Sequence, residues 1–252
     1  MSHSLPMGAE AYQEKCGDYS IKGITYTESD IEQSSGIIAD ICFDSSGRES
    51  FESYIHSLSE TGFTPITSVL PTVKDWQVGE GFAEAYITAH FSCSFPWSNN
   101  RDLKNPNSSL MGADMVGFHQ GQFAFGEVKT STEKKYPPQV TSKKSDGLNT
   151  QLNKLCADDD LRWVLIQYLF HRQKSSDEYK DACIAYLNNK NNFYIFGVLV
   201  RSVDPALNDW SYLKKHLEVH EQDKVFLVAL YLPVNDGIKK LHTCVLSKKA
   251  KS

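Results

Sequence analysis

Along the chain the apolar positions change period several times, and each change marks an element. Ile21–Thr27 reads as a strand, Gly36–Phe43 is an apolar run closed by Asp44-Ser45-Ser46-Gly47, and Phe51–Glu60 reads as a helix. From Val78 to His90 the period is helical: Phe82, Ala85, Tyr86 and Ala89 share a stripe, and Glu80 and Glu84 stand one turn apart. Two runs rich in β-formers follow, Ala113–Phe118 and Gln122–Thr130, and the intervening His119-Gln120-Gly121 predicts a hairpin. A Lys/Ser/Thr-rich loop, Thr130–Ser145, leads to a helix near Leu148–Cys156. Asp158-Asp159-Asp160 suits the capped start of an apolar helix, Leu161–Arg172; three successive carboxylates at a helix start diverge, which argues against a metal cage. Another helix is predicted at Asp177–Asn188.

Phe193–Arg201 and Val225–Leu232 are too apolar to alternate, so both predict strands buried on two faces. A helix near Pro205–His220 is expected between them, and a short helix and an edge-like strand, Leu241–Leu246, after them. The fold class that follows is α/β, a central mixed β-sheet flanked by helices.

Composition is that of an ordinary globular chain of 252 residues, 40% hydrophobic and 23% charged, which excludes disorder, collagen and coiled coil. With 26 Lys and Arg against 31 Asp and Glu, the net charge of −5 excludes a uniformly basic coat. The average conceals a division: residues 1–90 hold 4 basic and 14 acidic residues, and residues 91–252 hold 22 and 17. Two regions are expected, an acidic mixed α/β lead-in over 1–75 that offers a partner-docking surface, and a second domain over 76–252. The six cysteines form no CxxC pair, and neither a secretory leader nor an apolar run of about 18 residues is present. A soluble cytoplasmic protein with no membrane partner is expected. His216 and His220 do not frame HExxH, Gly79-x-Gly81 lacks a third glycine, and neither GxxxxGK[ST] nor GxSxG occurs.

Chemistry concentrates in the hairpin. Phe123 and Phe125 set the buried parity of the second strand, and Glu127 and Lys129 share it. Charges on that face are costly unless compensated, and Asp114 on the first strand adds a second carboxylate. A divalent cation would resolve the excess: two carboxylates, the Val128 carbonyl and waters form the oxygen set that Mg²⁺ prefers. Lys129 would act on a nucleophilic water or on charge growing at a phosphate, which points to metal-assisted phosphodiester hydrolysis.

Asp114, then Glu127-x-Lys129 across a hairpin, with an acid-bearing helix ahead, resembles the PD-(D/E)-x-K, restriction-endonuclease-like nuclease superfamily. The resemblance spans about residues 78–200. It implies a helix, three strands, helix, strand core, with Asp114 and Glu127 holding Mg²⁺ or Mn²⁺ and Lys129 assisting the water. It places the superfamily's helix acid on Glu80 or Glu84 and a supporting glutamine on Gln151; Leu155 stands where relatives carry Tyr, and Ala113 replaces the Pro before Asp114. More narrowly, the Gly-Glu helix start, Gly112-Ala-Asp-x-x-Gly-Phe118 and Gly126-Glu-x-Lys129 resemble the nuclease subunit of the Hachiman anti-phage defence system. Thr130-Ser131 and the Lys-rich loop depart from that pattern.

DNA is the expected substrate. Lys129–Lys144 contains five lysines and one acid, Lys239–Lys251 five lysines and none, and Arg101 and Lys104 precede Asp114. Lys134, Lys135, Lys143, Lys144, Arg101 and Lys104 are the candidate phosphate contacts, and Tyr136 would either stack on a base or pack its turn. With no motor motif, a helicase or ATPase partner is expected. The alternative reading is a catalytically silent nuclease-fold subunit that docks on or senses for that partner.

Overall fold

The computed structural model describes residues 4–44, 73–98, 100, 112–219 and 224–249. The helix expected at Phe51–Glu60, together with Arg101 and Lys104, lies outside the described residues.

The chain is α/β. Seven strands form one mixed sheet: β1 Ala9–Cys16, β2 Tyr19–Thr25, β3 Ser94–Ser98, β4 Met115–His119, β5 Gln122–Ser131, β6 Phe193–Arg201 and β7 Lys224–Tyr231. Their order is β1-β2-β7-β6-β5-β4-β3. The central neighbours β2, β7, β6 and β5 run parallel, and each edge is closed by antiparallel pairing, β1 on β2 and β3-β4 on β5. Residues 9–25 of the acidic lead-in therefore continue the same sheet.

Helices cover both faces, as fully apolar central strands require. Alternation divides β5 and β6 cleanly. Ala124, Val128, Phe196, Val198 and Val200 join one core beneath α1 Glu28–Cys42, α2 Asp75–Phe91 and α8 Gly237–Lys249. Phe123, Phe125, Phe193, Ile195 and Leu199 join the other, beneath α4 Leu148–Ala157, α5 Asp159–Gln173 and α6 Asp177–Asn188. The short helices α3 Gln139–Ser142 and α7 Leu213–His216 complete the set.

Local chemistry explains several boundaries. Thr27 and Asp30 form a capping box at the start of α1. Asp158 accepts a hydrogen bond from the Leu161 amide at 2.9 Å, so the acidic triplet is a cap, as its spacing predicts. Gln120 and Gly121 both take positive φ, 49° and 71°, the geometry of a two-residue type I′ hairpin turn.

Two expectations need correction. Pro205–His220 is not one helix but a 3-10 turn, Leu207–Trp210, followed by α7. Asp209 and Trp210 are both fully buried and bound to side chains of the sheet, Arg201 on β6 and Tyr12 on β1, and these contacts override the helical spacing. Leu241–Leu246 is no strand: it lies within α8, where Ile238, Leu241 and Val245 bury one helical face.

Arg201, at the end of β6, is fully buried and meets Asp209 at 2.6 Å. Its other nitrogen donates to the carbonyls of Glu133 and Lys135, at 2.5 and 3.2 Å. Asp209 also accepts from the Tyr231 hydroxyl at 2.7 Å, and that hydroxyl lies 2.8 Å from Tyr12 on β1. Removing one partner of a buried ion pair costs about 3–5 kcal/mol, because the other charge stays buried. Asp209→Ala is therefore expected to lose about that much in urea unfolding, whereas an Arg201→Met/Asp209→Leu double variant recovers most of it. A loss under 1 kcal/mol for Asp209→Ala would show the pair to be dispensable.

Candidate active site

β4 and β5 pair with Met115 opposite Gly126 and Val116 opposite Phe125, so the next pair outward is Asp114 with Glu127. Cross-strand neighbours of this kind hold their Cβ atoms about 5 Å apart. Asp114 is locked to β5 twice: its amide donates to the Gly126 carbonyl at 2.8 Å, and its Oδ2 accepts the Val128 amide at 2.7 Å. In a strand a residue's N–H and C=O point to the same side, so the Val128 carbonyl faces Asp114 as well, beyond the point where β4 begins. Lys129 Nζ donates to Glu127 Oε1 at 2.7 Å. The glutamate is 4% exposed and the lysine 21%, so the ammonium is at the rim and the carboxylate beneath it.

The electrostatics follow from burial. Desolvation, reinforced by the Asp114 carboxylate, pushes Glu127 up to about 8 despite the attraction of Lys129. Burial pulls the Lys129 ammonium down, but Glu127 and Asp114 outweigh it and hold its pKa above the usual lysine value. Asp146, an exposed residue at the entry to α4, adds its field to both groups while paired with Lys143 at 2.9 Å. Nothing in the sequence singled out Asp146; its part comes from the loop folding back beside β5.

Glu80 and Glu84 are both buried on α2. That helix packs on the opposite face of β5 from Glu127: a Cβ at Gly79 would fall 2.0 Å from Thr130 Oγ1. A Cβ at Gly81 would meet Cys42 Sγ at 2.6 Å, so the Gly-x-Gly of this helix serves close approach to β5 and α1. The structure thus unites Asp114, Glu127, Val128 and Lys129 and sets Glu80 and Glu84 on the other side of the strand. Gln151 is half-exposed on α4, whose Leu152 packs over Gly197, the partner of Glu127 on β6.

Lys134, Lys135, Lys143 and Lys144 are all exposed. Tyr136 packs its turn: its hydroxyl donates to the Asp204 carbonyl at 2.7 Å and Arg201 lies over its ring. The described C-terminal lysines lie on α8, on the far face, where Lys240 pairs with Glu28 and Lys239 with Asp236. Glu14 similarly pairs with Lys214 at 2.6 Å, so part of the acidic lead-in is neutralised within the molecule.

As a donor set, Asp114, Glu127 and the Val128 carbonyl are all hard oxygens on one side of the hairpin, and they fit a cation that keeps several waters. Among the described residues no group of three or more His, Cys, Asp and Glu side chains is placed to hold a metal. A cavity of about 720 Å³ beside α4 and α5 is lined by Asn149, Asp158 and Lys190, among others, and by none of the cluster. No helix among the described residues is long and apolar enough to cross a membrane. No known family model matches the chain, and no curated protein matches it.

The raised Glu127 pKa makes stability depend on pH with a definite sign. The folded protein keeps a proton on Glu127 that the unfolded chain sheds above about 4.5, so this contribution is complete below that pH and lost as pH rises through about 8. Urea midpoints measured at pH 5, 6.5 and 8 are expected to fall across the series for the parent and to fall less for Glu127→Gln. Equal slopes for the two proteins would refute a buried, proton-holding Glu127.

Proposed function

We propose that this chain is a divalent-metal-dependent nuclease that hydrolyses phosphodiester bonds in DNA, with a restriction-endonuclease-like core. The observation that carries the reading is the charged trio on one face of the β4-β5 hairpin: buried Asp114 opposite buried Glu127, with Nζ of the half-buried Lys129 2.7 Å from the glutamate. A fold seldom buries two carboxylates in an aromatic sheet face, with one ammonium at the rim above them, without a use for the excess negative charge.

Asp114, Glu127 and the Val128 carbonyl would hold Mg²⁺ or Mn²⁺. The ion would supply a lowered pKa for an attacking water and charge neutralisation at the phosphate. The residues of the chain do the rest. The Val128 amide fixes the Asp114 carboxylate in one orientation. Glu127 fixes Lys129, whose ammonium at the rim orients the water and stabilises charge on the phosphate oxygens. The exposed lysines 134, 135, 143 and 144 engage the neighbouring phosphates without reading sequence. A helicase or ATPase partner and a place in anti-phage defence belong to the same proposal, on the wording of the motifs and the missing motor.

Supercoiled plasmid with Mg²⁺ tests the reading. Glu127→Ala and Lys129→Ala are each expected to lose at least about 100-fold in cleavage rate, and chelation to abolish cleavage. Cutting by both variants at the parent rate would exclude the assignment.

A further inference from the structure

Helix α5 is apolar around most of its circumference, a composition that belongs to a helix covered on every side. Among the described residues only one side is covered. Leu165, Ile166 and Leu169 are buried, whereas Trp163, Val164, Tyr168 and Phe170 are 40–44% exposed. The neighbouring α6, reached through Trp163 stacking on Tyr186 and Phe170 against Tyr179, adds exposed Ile184 and Leu187. Six of the ten large apolar side chains exposed among the described residues thus lie on these two helices. Single exposed apolar residues are ordinary; six on two neighbouring helices mark an interface.

The charges around the patch identify what covers it. α5 begins with Asp159 and Asp160 and ends with His171 and Arg172, followed by Lys174. An acidic ligand surface would be repelled at one end and a basic surface at the other. A second α5 turned end for end matches both. The outward stripe Asp160, Val164, Tyr168, Arg172 is spaced by four, and reversal about its midpoint exchanges acid with base and one apolar residue with the other.

We infer that the protein forms a two-fold symmetric dimer through antiparallel packing of α5 on the α5 of a second copy. Asp160 of each copy faces Arg172 of the other, and Val164 faces Tyr168. Trp163, Ile184 and Leu187 flank this seam and enlarge its apolar centre, in keeping with the aromatic enrichment of interface cores. The inference is independent of the nuclease reading, since no residue of the hairpin site takes part.

Sedimentation equilibrium on the full chain decides it. The expected mass is twice the 28.4 kDa of one chain, and Val164→Glu raises the dissociation constant at least about 10-fold. Asp160→Arg and Arg172→Asp each weaken the dimer, and the double variant returns to within a few-fold of the parent because the exchanged charges meet again across the axis. This pair of exposed changes decides the matter should Val164→Glu fail to fold. A monomer at every concentration overturns the inference, as does a dimer insensitive to Val164→Glu. A double variant no better than the single ones overturns the antiparallel register.

Discussion

Where β6 and β7 end, Arg201 and Asp209 are both fully buried and joined at 2.6 Å. Neither charge is tolerable alone at that depth, so every group that completes their hydrogen bonding is held in place with them. Arg201 stands opposite Ser131 on β5, and its second nitrogen takes the carbonyls of Glu133 and Lys135. The chain leaving β5 is therefore pinned two to four residues beyond its last ladder position. Asp209 reaches the other way, through Tyr231 and Tyr12 to the outermost strand, with the Trp210 indole donating to Tyr12 at 3.0 Å. One ion pair thus joins the N-terminal edge of the sheet, its centre and the lysine-rich loop.

That anchoring matters for the hairpin site because Lys129 and Ser131 lie on the same face of β5. Holding the loop at residues 133 and 135 sets the exposed Lys134 and Lys135 beyond the rim where the Lys129 ammonium emerges. Asp146, further along the loop, ends near enough to act on Glu127 and Lys129. The cluster itself is poised between two states. Desolvation favours a proton on Glu127, and anything that brings positive charge to its carboxylate favours losing it. The division of charge along the chain gains a structural meaning as well. Some acids of the lead-in are spent on intramolecular pairs with Lys214 and Lys240, while the lysines of the 130–145 loop remain exposed.

Much of the fold was legible in local pattern. Phe193–Arg201 and Asp177–Asn188 have the bounds that their periodicity predicts, and the β4-β5 hairpin is off by two residues at most. Two elements depart from the local pattern, each for its own reason. In Pro205–His220 a buried ion pair and a buried indole, both made with distant strands, override helical spacing. In Leu241–Leu246 six residues are too few to separate strand from helix, whereas Leu241 and Val245, with Ile238 ahead, carry a helical stripe that a longer window contains. Asp114, Glu127 and Lys129 were legible because a charge on an apolar parity violates a local rule. Asp146 violates none, and Glu80 and Glu84 could be placed on a helix but not on a side of the sheet.

The sequence by itself determined the α/β class, most elements, and the parity conflict that marks the hairpin site, since each depends on side chains a few residues apart. Only the tertiary structure decided the strand order, the attachment of the N-terminal hairpin to β7, the side of β5 that α2 covers and the face of α5 left bare. Those depend on contacts between residues far apart in the chain, such as Tyr12 with Tyr231 or Gly79 with Thr130. No periodicity encodes which two apolar surfaces meet, because many pairings bury similar area. What selects among them here is the small number of buried polar groups that only one arrangement satisfies.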